Sequence, residues 1–342
     1  MEKQKDYNIE FLRFIATVGV IFVHVGVCWI SAFGNRASSF QRFEFATVQH
    51  SMFWAVPVFM MITGSLMMQK PKISYQKAFG YFKRMAVLLV LFGTVFAWME
   101  LFFKFHTVNA EIIGGGILNM LTGCTWKHLW YLYMLLGIYL VLPILNSLNN
   151  WHFKELLFLV VCIFVFNSLL PTFGLSCGID FPIASIYIGY FLVGYLIIKL
   201  NDRDMFFLRP IITVPILFFT FIIFIYDRYA FYVFKKSLEF DSSSYSSLFT
   251  VVQSVILFWL FTRKKGCFDK FCKMWLIRRF NRCSLGIYII HMLWINIIIK
   301  VLHVDIMPYG LFGIIPMGII VFLLAWVTTE CMIKVPILKR YL

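Results

Sequence analysis

Two residues in the first apolar stretch are the chain's clearest candidates for chemistry. Glu10-Phe-Leu-Arg13 opens the stretch, and His24 follows eleven residues after Arg13. On an α-helix that spacing is about three turns, so both side chains share one face, about 16 Å apart along the axis. A guanidinium and an imidazole in hydrocarbon are costly, and such a pair points to a functional site. The bland alternative is an Arg13 that snorkels to a headgroup and a His24 that packs. Glu10, three residues before Arg13, is placed to pair with it. A neutral imidazole lined up with a cation suits a general base or a nucleophile facing a buried channel.

Other segments carry weaker signals. Ser284-Leu-Gly-Ile-Tyr288-Ile-Ile-His291 puts Ser284, Tyr288 and His291 on one helical stripe at i, i+3 and i+4 spacings. Lys83 and Arg84 read as anchors at the cytoplasmic face, or as a clamp on the phosphates of a nucleotide-bearing donor. Trp130 and Tyr131, in Lys127-His128-Leu-Trp-Tyr-Leu-Tyr133, read as an aromatic belt or as a platform for a sugar ring. Gly64 and Ser65, after Pro57, permit close helix approach.

These residues must be positioned by membrane helices. The chain has 342 residues, of which 61% are hydrophobic and 14% charged, against about 25% charged in an average soluble domain. Ten stretches are apolar enough to span: 10–31, 48–69, 80–103, 129–146, 154–171, 181–199, 209–227, 246–262, 283–302 and 309–333. With the N-terminus inside, 23 of the 31 Lys and Arg fall on cytoplasmic segments and 8 on outer ones. The expected fold is an all-α polytopic helical bundle of about ten transmembrane helices with both termini cytoplasmic. The net charge of +15 then reads as an orientation signal and an attraction to membrane lipids, with no nucleic-acid partner. The first apolar run has no cleavage pattern after it and reads as a retained helix. Breaks fall at Gly114-Gly115-Gly116, Asn201-Asp202-Arg203-Asp204 and the Ser run 242–244. Eight Cys show no Cys-x-x-Cys pair and read as free thiols, with a Cys124–Cys177 pairing left open. No metal site is expected. Homo-oligomerisation is left open.

In order along the chain, five segments resemble the acyltransferase 3 family, bacterial integral-membrane O-acyltransferases that modify surface glycans. They are Arg13-x10-His24, Pro57 to Gly64, Lys83-Arg84, Trp130-Tyr131-Leu and Ser284 to His291. His128-Leu-Trp-Tyr-Leu-Tyr followed by Leu142-Pro143 is similar to the subgroup that includes the enterobacterial common antigen O-acetyltransferase. The resemblance implies a single acyltransferase domain over 1–342 in a bacterial inner membrane, with no fused soluble domain. It implies acetyl-CoA as acyl donor and a glycan, lipid-linked or at the surface, as acceptor. It implies His24 as base or acyl acceptor, Arg13 as its partner, and Arg13, Lys83 and Arg84 near the donor phosphates. Tyr288 or His291 would then be placed to donate to an oxyanion. Where many members carry a further Arg three residues beyond Arg84, this chain has Val87. Two readings compete: a secondary transporter or exporter of a glycan or small anion, and the same enzyme with another acyl group such as succinyl.

Overall fold

A computed structural model describes residues 7–107, 110–175, 184–200, 209–263 and 275–342. All regular structure among them is helical. The α-helices longer than one turn are α1 (Tyr7–Phe33), α2 (Ser39–Ser51), α3 (Ala55–Met68), α4 (Tyr75–Phe105), α5 (Ala110–Leu121), α6 (Trp130–Ser147), α7 (Phe153–Phe164), α8 (Ile186–Leu200), α9 (Pro210–Tyr229), α10 (Leu248–Thr262), α11 (Trp275–Asn296), α12 (Leu311–Met332) and α13 (Pro336–Tyr341).

Among the described residues eight helical stretches are long and apolar enough to cross a membrane: Tyr7–Arg36, Ser39–Met68, Tyr75–Phe105, Lys127–Asn150, Phe153–Thr172, Pro210–Phe234, Ile277–Val301 and Leu311–Met332. They answer to eight of the ten expected spans. The other two, 181–199 and 246–262, are α8 and α10, of 15 residues each. At 1.5 Å per residue each runs about 23 Å, short of the hydrocarbon thickness of about 30 Å. The Asn201–Asp204 break, Cys177 with its pairing to Cys124, and the basic segment with Cys267 and Cys272 lie outside the described residues.

The chain divides into two compact units, Met1–Gln69 with Asn150–Ser284 and Asp305–Ile320, and Lys70–Asn149 with Leu285–Val304 and Val321–Leu342. In the first unit, Ser38 starts α2 with a capping box, its hydroxyl accepting from Gln41 N at 3.1 Å while Gln41 Oε1 accepts from Ser38 N at 2.8 Å. The tightest contact is α3 on α8. A Cβ on Gly64 would lie 1.8 Å from the carbonyl oxygen of Phe191, and one on Gly194 2.2 Å from that of Met61. Only glycine permits that approach. The Ser run 242–244, read from sequence as a plain break, belongs to a polar network. Ser242 and Arg228 both donate to the buried carboxylate of Asp227.

In the second unit, α4 packs against α5 and α6. The α5 helix is a correction to the sequence reading, which took Gly114-Gly115-Gly116 as a break. Gly116 sits under the indole of Trp98, where a Cβ would lie 2.0 Å from Cδ1. The same indole donates to Ile113 O at 2.9 Å. Gly116 serves packing, a Cβ on Gly114 would meet nothing within 4 Å, and the chain around them stays helical.

Candidate functional site

The first unit places Arg13 and His24 on α1, both half-buried. The opposite side of α1 is fixed by glycines. A Cβ on Gly19 would lie 3.1 Å from Ala55 Cβ, and one on Gly26 2.6 Å from Gln49 Cβ. So α2 and α3 run along the Gly19/Gly26 stripe. At 100° per residue Arg13 and His24 sit about 120–160° around from it, on a face of their own. The Arg13 carbonyl accepts from Thr17 Oγ1 at 2.9 Å.

At the N-terminal end of α1, Arg13 opens into a cavity of about 500 Å³ lined by Glu10, Arg13, Trp275, Arg278, Arg279, Asn281 and Arg282. Phe14 of α1 stacks on Phe280 of α11, ring centroids 5.5 Å apart, which holds the start of α11 beside Arg13. Arg278 and Arg282 are four residues apart and Arg279 and Arg282 three, so one helical side presents all three. The Arg279 guanidinium lies 4.4 Å from the centroid of the exposed Trp275 ring. The amide of Asn281 is buried and makes no hydrogen bond among the described residues. Among the described lining residues four guanidiniums stand against one carboxylate, a donor set of the kind that binds phosphate or carboxylate oxygens.

Sequence reading grouped Arg13 with Lys83 and Arg84. Within the first unit Arg13 shares its cavity with Arg278, Arg279 and Arg282, and Lys83 and Arg84 belong to the second unit. In the second unit both of these are exposed. Arg84 donates from Nε to Tyr341 O at 2.7 Å and from Nη2 to Leu342 O at 3.0 Å. It thereby caps the C-terminal end of α13, where a cation is favoured.

The second unit gathers Tyr131, Tyr288 and His291, together with His128, which sequence reading left in an aromatic belt. All four are buried. The Tyr131 and Tyr288 rings meet edge to face at 5.6 Å, and those of His128 and His291 at 5.2 Å. Tyr288 donates its hydroxyl proton to the backbone carbonyl of His128. Nε2 of His128 lies 3.1 Å from Ile289 O and Nδ1 of His291 3.2 Å from Ile287 O. Trp130 is half-buried and sits edge-on to Tyr131 at 6.2 Å. Ser284, half-buried, lies at the edge of the first unit. Around the cluster, Trp126 stacks on Phe96 at 4.4 Å and donates to Glu100 at 2.8 Å, and Glu100 pairs with Lys300 at 2.6 Å. Among the described residues no group of three or more His, Cys, Asp or Glu is placed to hold a metal.

A family model for the acyltransferase domain of the acyltransferase 3 family matches residues 6–331. The chain belongs to the acyltransferase 3 family. No curated protein and no solved structure matches it, so the narrower likeness to the common-antigen subgroup gains no support. As an acyltransferase 3 protein with eight spanning-length apolar helices, it is a multi-pass membrane acyltransferase.

Proposed function

We propose that this acyltransferase takes an acetyl group from acetyl-CoA on the cytoplasmic side of a bacterial inner membrane and transfers it to a hydroxyl of a lipid-linked or surface glycan. The observation that carries this reading is the cavity of four arginines at one end of the helix that bears His24. Guanidiniums bind phosphate oxygens in pairs through charge-assisted hydrogen bonds, and the Trp275–Arg279 stack offers a flat face to a nucleobase. From Arg13 the helix rises about 16 Å to His24, the distance left to an extended arm between phosphates and thioester. Glu10 orients the guanidinium of Arg13. Lys83 and Arg84 serve the donor only where Arg84 exchanges the carbonyls of Tyr341 and Leu342 for a phosphate.

At His24 the chemistry takes one of two balanced courses. In direct transfer, neutral His24 takes the hydroxyl proton as that oxygen bonds the acetyl carbon. The carbon–sulfur bond breaks, and the proton passes to the thiolate. In the two-step course, a His24 nitrogen first takes the acetyl group with release of CoA, and the hydroxyl then removes it.

The test is CoA release from acetyl-CoA by the protein in nanodiscs with lipid-linked envelope glycan, beside His24→Ala. Acceptor-dependent release with acetyl ester on the glycan, lowered about 10²–10⁴-fold in the variant, is expected. Release unchanged in a folded His24→Ala would remove His24 from the mechanism. No release with any envelope fraction would remove acetyl-CoA as donor.

A further inference from the structure

The cavity that Arg13 shares with the start of α11 is reachable from solvent, since Trp275, Arg278 and Arg282 are exposed. Its described lining residues all belong to the first unit. The four arginines are not equivalent, because their places along the two helices set them at different levels. Phe14 of α1 stacks on Phe280 of α11 at 5.5 Å, which makes the two helices level at that pair. Both helices turn their N-terminal ends to the cavity, so both rise from it in the same direction.

Counted from that pair along the helix rise, Arg282 stands about 3 Å above it and Arg13 about 1.5 Å below. Arg278 lies about 3 Å below the pair, Trp275 about 7.5 Å below, and His24 about 15 Å above. Arg279 is level with Arg13, but its guanidinium is drawn down over the Trp275 ring, 4.4 Å from the centroid. A guanidinium lying over an indole keeps its N–H groups in its own plane, directed to its rim. Stacking therefore fixes the plane of the fork without using up its donors.

We propose that Arg278 and Arg279 hold the 3′-phosphate on the ribose of the donor, with Trp275 as the positioning residue for Arg279. The site thereby selects CoA over its 3′-dephospho form. This rests on the acetyl-CoA reading above. A donor whose thioester points to His24 runs down through these levels in the order of its covalent bonds. The arm comes first, then the diphosphate, then the ribose with its 3′-phosphate, and last the base. The diphosphate falls at Arg282 and Arg13, and the ribose end at Arg278 and the Trp275–Arg279 stack. A phosphomonoester carries about −1.5 to −2 charge at neutral pH and three acceptor oxygens, enough to engage two guanidinium forks. It lies far from the reacting carbon, so its contacts are the same before and during reaction and act on KM, not on kcat.

The experiment deletes the phosphate from the donor and the arginine from the protein in turn. Acetyl-CoA and acetyl-3′-dephospho-CoA are compared as donors for wild type, Arg278→Ala and Arg282→Ala in nanodiscs with lipid-linked envelope glycan, by initial rates of thiol release. In wild type the dephospho donor should have a KM about fivefold higher at the same kcat, a modest ratio because the site is open to water. Arg278→Ala should bring the two donors within about twofold of each other by raising the KM of acetyl-CoA alone. Arg282→Ala should raise both KM values about twofold and keep the ratio, since both donors carry the diphosphate. Equal KM values in wild type would overturn the inference, as would a ratio that survives Arg278→Ala or is lost in Arg282→Ala alone. Thiol release from neither donor would instead sink the acetyl-CoA reading, and this inference with it. If Arg278→Ala does not fold, wild type decides through competing ligands. Adenosine 3′,5′-bisphosphate should then inhibit at about fivefold lower concentration than AMP, and equal inhibition overturns the proposal.

Discussion

The two units place their ionisable groups in opposite surroundings. In the first, Arg278 and Arg282 are exposed and share a cavity with Glu10 and Arg13. In the second, His128 and His291 have almost no exposure and sit among aromatic rings. The difference follows from the charge each must carry. Guanidiniums are charged at every physiological pH, so the fold keeps them where water can reach them. Imidazole can be neutral, so it can be buried dry and still take a proton when one is offered. A wet cationic cavity suits binding, and a dry neutral pair suits proton transfer.

The strongest way to break this comparison is Tyr288→Phe. It removes one hydroxyl and leaves the buried carbonyl of His128 without that donor, a loss of about 1–3 kcal/mol. The protein in nanodiscs should melt a few degrees below wild type, measured by thermal denaturation. An unchanged melting temperature would mean that the carbonyl of His128 finds another donor. Next in size is Arg278→Ala combined with Arg282→Ala, which removes two charged donors from the cavity. Donor KM should rise about tenfold with kcat little changed, and the wild-type KM should climb with salt as screening shortens the reach of the charges. A salt-independent KM would argue against phosphate recognition in this cavity. The smallest expected effect is Arg84→Ala, within about twofold on donor KM, because its guanidinium is engaged with Tyr341 and Leu342. A rise matching that of the cavity variant would show that Arg84 leaves those carbonyls for the donor.

Much of this was legible in the sequence, and the parts that were not share a cause. The common face of Arg13 and His24 follows from helical period alone, and eight of the ten expected spans match helices of spanning length. The three arginines of α11 were counted only as orientation charge. Their second role depends on Phe14 docking against Phe280, a contact between distant segments. His128 lay in a run that reads as an interfacial belt. Its burial rests on α11, 161 residues further along. Gly114-Gly115-Gly116 carries the composition of a break, yet the run is helical, with Gly116 packed under the indole of Trp98. Local period reads well from sequence, and long-range pairing does not.

The glycines at the α3–α8 crossing also limit how the first unit can move. With Gly64 against the Phe191 carbonyl and Gly194 against that of Met61, two backbones interlock at two points. Sliding one helix along the other would drive a neighbouring side chain into a carbonyl within a single residue's rise. Tilting about the crossing meets no such obstacle. Any opening and closing of this unit during turnover therefore pivots on that crossing, as on a pin, and shear between α3 and α8 is forbidden.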